Sequence, residues 1–273
     1  SICPLGCAIQ WTIDEKGMKK IKMRTTHNLS FEWISGLSVN SMVEVGQLEE
    51  ILYGHCLIRC IHIMHKMRLK HPEIAILLSK FDIDSAFRRM HSRPDHAPLF
   101  LTVLPNTDGD DAYLDTRMPF GANQGPGKFG KISETATDLA NHLMKNEWWT
   151  PARLKSSFSD KIPKKNLLPA SVKFGKAIPL LVEIEDYDSY WDVFVDDLIN
   201  ITLDQMNLEG KAREAAAIAL ELLFRPNSAN EEVKRNKILK FEKLLAEGGQ
   251  EEVKVILGWL INSRTWNIKI PHE

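Results

Sequence analysis

A chain of 273 residues with 44 % hydrophobic side chains is long enough for one large domain or two smaller ones and can fill a sizeable core. It holds no run of 18 or more apolar residues and no signal-peptide pattern, so no membrane span is predicted and an intracellular protein is expected. A net charge of −1 does not mark a nucleic-acid binder, and four cysteines are too few for a disulfide scaffold. The first residue, Ser1, suggests a fragment of a longer product.

In chain order, Ala8 to Ile13 and Ile21 to Thr26 read as two strands around the charged turn Asp14-Glu15-Lys16-Gly17. From Val43 to about Lys70 the apolar positions follow a helical period, and His71-Pro72 stops it. On that helix Cys56 and Cys60 stand one turn apart among His55, His62 and His65. Buried free thiols are the reading preferred to a metal site. Ala75 to Asp82 is nearly all apolar and predicts a central strand, followed by a short helix from Ser85 to Met90. Strands Leu99–Leu104 and Ala112–Arg117 flank the polar turn Pro105 to Asp111, and the loop Pro119 to Gly127 opens a helix of roughly 128–145.

Residues 146–185 hold Pro151, Pro163, Pro169 and Pro179 with many lysines, which predicts an inserted loop. Leu208 to Phe224 and Arg235 to Ala246 read as helices, and Val253–Asn262 with Trp266–Ile270 as a closing hairpin. The class is α+β. Basic residues cluster in 16–24 and 145–176, while 183–197 carries seven acids and no Lys or Arg. Each run alone reads most simply as a solvated face.

Between the insertion and the first late helix lies Trp191-Asp192-Val193-Phe194-Val195-Asp196-Asp197-Leu198-Ile199-Asn200-Ile201-Thr202-Leu203, two apolar strands meeting at adjacent carboxylates. Such a pair is either a solvated turn or a place for a hard divalent cation, because like charges in an apolar run need neutralising. The strand through Lys80-Phe81-Asp82-Ile83-Asp84 also ends in acids. An aspartate brought beside an Asp-Asp turn gives the carboxylates that two metal ions need for an in-line phosphoryl displacement. Spacing alone leaves open whether Asp82 or Asp84 serves.

Four blocks occur in the order of the palm motifs of reverse transcriptases. They are Phe81-Asp82-Ile83-Asp84-Ser85-Ala86-Phe87, then Met118-Pro119-Phe120-Gly121-Ala122-Asn123-Gln124-Gly125-Pro126-Gly127-Lys128-Phe129, then Phe194-Val195-Asp196-Asp197, then Leu257-Gly258-Trp259. The chain resembles that family over roughly residues 8 to 271, with 146–185 outside the resemblance. Among reverse transcriptases it is most similar to those of eukaryotic retrotransposons, the tyrosine-recombinase kind included, through Phe87-Arg88-Arg89 and the run from Leu257 to Pro271.

The resemblance implies a polymerase palm, an antiparallel sheet backed by helices, with a partial fingers subdomain. It divides the chain into a fingers-like part over 1–72, palm motifs with a central helix over 73–145, the inserted loop, and a palm hairpin with helices and a primer-grip-like hairpin over 186–273. The implied activity is RNA-directed DNA polymerase, a nucleotidyltransferase that uses two Mg²⁺ or Mn²⁺, an RNA template, a DNA or RNA primer and dNTPs. Further domains of a polyprotein are implied beyond it.

Residue by residue, the resemblance makes Asp82, Asp196 and Asp197 the catalytic metal ligands, with the backbone carbonyl of Ile83, and gives Asp84 no equivalent catalytic role. It makes Phe87 the aromatic that excludes a ribose 2′-hydroxyl, and Phe120 and Gly121 the turn against nucleotide and template. Gly258 and Trp259 match the primer grip. Lys22 and Arg24 match the basic fingers edge that holds the triphosphate, with Arg24 the better shaped for it and Lys16 a further candidate.

The chain departs from the family pattern at His27-Asn28-Leu29-Ser30, where many members carry an acid, and in the long insertion. The insertion is either a surface feature or a nucleic-acid-contacting loop with Trp148 and Trp149 for base stacking. Three alternatives stand beside the polymerase. One is an inactive remnant or domesticated module that binds an RNA–DNA duplex; another is an RNA-templated RNA polymerase, against which Phe87 speaks. The third and weakest is a structural protein with an accidental Asp-Asp turn.

Overall fold

The computed structural model describes residues 4–13, 18–51, 53–103, 111–178, 186–225, 230–232 and 237–271. Over these residues the chain is a mixed α+β protein with four small antiparallel sheets and four α-helices, arranged as two compact units. One unit is Ser1–Ile51 with Ser85–Phe129, and the other is Leu52–Asp84 with Gly130–Glu273. Among the described residues no helix is long and apolar enough to cross a membrane.

The first unit holds two hairpins. Strands β1 (Leu5–Ile13) and β2 (Lys19–His27) pair over their full length; the turn expected at 14–17 lies outside the described residues. Because side chains alternate, one face of this ribbon carries Ile9, Trp11, Ile21 and Met23 and the other Lys20, Lys22 and Arg24.

In the second unit, β3 (Ile76–Asp82), β6 (Ser189–Phe194) and β7 (Asp197–Leu203) form one sheet in the order β3–β7–β6. Their core face presents Ile76, Leu78, Ile199, Ile201 and Leu203 to α1 (Cys56–Lys70), which inserts Cys60, Ile63, Met64 and Met67. The opposite face carries Trp191, whose indole N–H donates to the Ala212 carbonyl of α3 (Leu208–Phe224) at 3.1 Å. Small buried side chains at Ala212, Ala215, Ala216 and Ala219 allow that close approach. Asn141 of α2 (Gly125–Lys145) exchanges two 2.8 Å bonds with the Trp191 backbone and so covers the outer edge of β6.

Strands β4 (Leu101–Val103) and β5 (Ala112–Leu114) form the first unit's second hairpin, shorter than the two strands expected there, and the turn of 105–110 lies outside the described residues. A small core of Leu29, Val39 and Phe100 lies in the same unit. The helix α4 (Phe241–Glu247) and the three-stranded meander β8 (Val253–Ile256), β9 (Trp259–Asn262) and β10 (Asn267–Lys269) complete the second unit.

Four expectations are corrected. The helix expected over Arg235–Ala246 is confined, among the described residues, to α4, with 237–240 outside it. The continuous helix from Val43 does not form; single 3₁₀ turns occupy Asn40–Met42, Val45–Gln47 and Tyr53–His55, and the α-helix begins only at Cys56. Gly46 and Gly54 each cost about 1 kcal/mol relative to Ala in a helix, and Val45 is exposed, so the stretch has little burial to offset that cost. The helix from Ser85 is likewise one 3₁₀ turn, Ala86–Arg89. Finally, β3 stands at the edge of its ladder. It is nevertheless buried, because Leu78 exchanges backbone bonds of 2.8 and 2.9 Å with Glu251 and Ile83 bridges Leu239.

The stretch expected as an inserted loop is largely irregular, yet its described part is bound into the second unit. Backbone N–H groups of Ser156 and Leu168 donate to Glu214 and Glu252, at 3.0 and 2.8 Å. Trp149, Phe158 and Ile162 are buried. The Phe174 ring lies against two buried guanidinium groups, Arg68 at 4.7 Å and Arg264 at 4.1 Å from its centroid. Phe174→Ala is therefore expected to lower unfolding stability by about 2–3 kcal/mol in urea titrations, from lost cation–π contact and packing. A merely solvated loop would show a change below about 0.5 kcal/mol.

Candidate metal-dependent active site

The register of β3 against β7 decides where the acids go. Asp82, the last residue of β3, is the direct cross-strand partner of Asp197, the first residue of β7. Directly opposed residues in an antiparallel pair hold their Cα atoms only about 4.5–5.5 Å apart. With a period of two, Lys80, Asp82 and Asp197 lie on the sheet face that also carries Ile76 and Leu78.

Phe194 and Asp197 close the β6–β7 hairpin through a two-residue tip, Val195-Asp196. Val195 has φ 58°, an unfavourable backbone region for a β-branched residue, and such strain gathers at functional turns. The Ile83 N–H donates to the Asp196 carbonyl at 3.0 Å, so the chain leaving β3 is tied directly to the Asp-Asp tip.

The carboxylates feel one another. Burial first, then the charges of Asp82 and Asp197, pushes the Asp196 carboxyl up to about 6. Burial also raises Asp197; Lys80 and Lys243 pull against the shift, while Asp82 and Glu247 add to it.

Helix α4 supplies one cation, Lys243, and a further acid, Glu247, while β3 itself supplies Lys80. Lys243 pairs with Asp82, and Lys80 spans Asp197 at 3.6 Å and Glu247 at 2.8 Å. Burial lowers the Lys80 ammonium, but the Glu247 hydrogen bond and the charges of Asp197, Glu247 and Asp82 outweigh it and leave it raised. Asp84 is paired elsewhere, with Lys240 at 2.9 Å, and its N–H donates to the Ile238 carbonyl. Four acids thus face two ammonium groups, a surplus of two negative charges carried on hard oxygen donors. That donor set suits Mg²⁺ or Mn²⁺, with Asp82, Asp196 and Asp197 as the holding residues.

A second cluster is chemically different. Among the described residues, the one group of three or more potential ligands with donor atoms within 4.8 Å of each other is Cys56, Cys60 and Asp192. His55, His62 and His65 do not join it. Both Asp192 oxygens already accept from Arg59, at 2.6 and 2.7 Å, and Oδ1 also accepts from the Val193 N–H. A hydrogen bond with Cys56, then burial, holds the Cys60 thiol well above its usual range. The group sets two thiols beside a satisfied ion pair, and Cys56 and Cys60 are buried and free, as expected on this helix.

No protein-family model matches the chain, and no curated protein matches it in sequence.

The other sequence-derived candidates fall into place within their own units. Gly258 and Trp259 lie at the β8–β9 turn, where Leu257 and Gly258 both have positive φ, the pattern of a type I′ hairpin. Ile256 and Ile261 of that hairpin join the core shared with β3 and β7, and Trp259 stays partly exposed.

In the first unit, Phe87 packs against Phe120 and Phe129, with ring centroids 5.3 and 5.8 Å apart. Gly121 has φ 104°, and an added Cβ would stand 2.5 Å from the His27 carbonyl oxygen, so the turn needs glycine to approach the end of β2. Asn40 fixes the same turn by donating to the Gly121 carbonyl at 2.9 Å and accepting from the Asn123 N–H at 3.1 Å. Lys22 and Arg24 share the basic face of β2, and the strand itself ends at His27 on the other face. Of the tryptophans considered for stacking, Trp149 is buried and Trp148 exposed.

Sequence reasoning missed Lys80, Lys243 and Glu247. Lys80 alternates with Asp82 along β3, a signal readable from period two; the residues of α4 carried none.

A carboxyl whose folded pKa is raised keeps its proton, between about pH 4 and 6, where the unfolded chain has lost it. The folded state is therefore destabilised progressively across that window and fully above it. Relative to wild type without divalent metal, Asp196→Asn is expected to be neutral near pH 4 and stabilising by about 2 kcal/mol above pH 7. Thermal unfolding of both proteins in chelator across that pH range checks this.

Proposed function

We propose that the chain is the fingers and palm part of a retroelement reverse transcriptase, an RNA-directed DNA polymerase. The observation that carries the reading is the direct opposition of Asp82 and Asp197 across β3 and β7, with Asp196 at the adjoining tip. Four ordered sequence blocks support it, and so does the glycine-dependent turn at Phe120-Gly121, which packs within its own unit against Phe87 and the end of β2.

In this reading Asp82, Asp196 and Asp197 bind through oxygen, with the Ile83 carbonyl beside them. Divalent cations held there supply neutralisation of phosphate charge and a lowered pKa for the attacking hydroxyl. Phe87 selects against a 2′-hydroxyl, Lys22 and Arg24 bind the triphosphate oxygens, and Gly258 and Trp259 orient the primer end. The RNA template, the primer and the dNTPs are the partners. The reaction joins the primer 3′-oxygen to the α-phosphorus of a dNTP, breaks the bond to the β-phosphate bridging oxygen and releases pyrophosphate.

Primer extension on an RNA template with dNTPs and Mg²⁺ tests the reading. The wild-type chain is expected to extend the primer, and Asp82→Asn and Asp196→Asn to lose activity on the order of 10³-fold or more. Salt-sensitive duplex binding without extension by any of the three would overturn the polymerase in favour of a non-catalytic binding module.

A further inference from the structure

The carboxylate site already contains cations of its own, and they differ in how firmly they are held. Lys80 is 15 % exposed at its side chain and is fixed from two sides, by Asp197 and by Glu247. Lys243 is 42 % exposed at its side chain and pairs with Asp82, whose side chain is only 9 % exposed. A lysine on a flexible four-carbon stem that is nearly half in water can swing its ammonium group into solvent with little loss of hydration. Asp82 cannot follow it, because its strand is locked in register with β7.

The three aspartates are also not gathered for a metal as they stand. They are absent from the groups of donor atoms within 4.8 Å of each other among the described residues, while Asp82 pairs with Lys243 and Asp197 with Lys80.

We propose that Lys243 is the resident counter-cation of Asp82, and that a divalent cation loads the carboxylate site by displacing the Lys243 ammonium group into solvent. Lys80 stays in place on Glu247. The lysine thereby sets the metal concentration at which the site fills, and keeps a buried carboxylate paired until it does. This rests on the reading of Asp82, Asp196 and Asp197 as a metal site.

Mn²⁺ binding to the full chain, followed by loss of the free-ion paramagnetic resonance signal, tests it without reference to activity. Lys243→Met and Lys243→Gln are expected to bind Mn²⁺ about tenfold or more tightly than wild type, because a positive charge close to the ion is removed. Lys243→Arg is expected to stay within about threefold, as is Lys240→Met, which removes a similarly exposed charge from Asp84 rather than from a candidate ligand. Amine acylation mapped by mass spectrometry reads the displacement itself: Mn²⁺ should raise labelling of Lys243 and leave Lys80 protected.

Binding by wild type with unchanged affinity in both neutral variants, or with no gain in Lys243 labelling, would overturn the proposal and leave the metal site standing. No Mn²⁺ binding that Asp82→Asn abolishes, in wild type or in either neutral variant, would overturn the metal site and the proposal with it.

Discussion

Two carboxylates held opposite each other across an antiparallel strand pair are the constraint on which the second unit turns. Like charges in directly facing positions are unfavourable, and nothing in the ladder lets Asp82 and Asp197 drift apart, because six consecutive residue pairs fix the register behind them. The remainder of the unit answers that repulsion or enforces it. Apolar residues on β3 and β7 bury against α1 and prevent a one-residue slip, which would send Ile76, Leu78, Ile199 and Ile201 to the opposite face. Helix α4 answers with Lys243, and Lys80 links Asp197 to Glu247.

The same logic explains why the edges of the sheet are so fully covered. A short three-stranded sheet with unpaired outer groups would be free to shear or to recruit another strand. Asn141 closes the β6 side through paired bonds to Trp191, and Glu251 with Leu239 closes the β3 side. The segment after α2 adds a further restraint. Its Ser156 and Leu168 amides satisfy Glu214 and Glu252, and Phe174 shields Arg68 and Arg264. A stretch rich in lysine and proline is thus part of the scaffold that holds the site.

Much of this was legible in the residues. The hairpin with acids at its tip, the helix Leu208–Phe224 and the pairing of β1 with β2 follow from local pattern, and local pattern suffices because short-range hydrogen bonds decide them. Asp84 and Asp82 were not separable by spacing. The structure separates them by what each one meets: Asp82 faces Asp197, whereas Asp84 follows the end of the ladder and pairs with Lys240. The stretch ahead of Cys56 misled because its apolar period resembles a helix although Gly46 and Gly54 break it and Val45 has nothing to pack on. Lys243 of α4 was illegible for a plainer reason. Long-range pairs such as Lys243 with Asp82 leave no trace in spacing, since 161 residues separate them.

The central claim is that the opposed strands, and not the thiols of α1, form the divalent-cation site. Crystals of the chain soaked in Mn²⁺ and measured near the manganese absorption edge test it most directly. The account predicts anomalous density bonded to oxygens of Asp82 and Asp197, at the tip where Asp196 adjoins them. Density at Cys56, Cys60 and Asp192 instead, or no ordered manganese at the aspartates at saturating concentration, would contradict it.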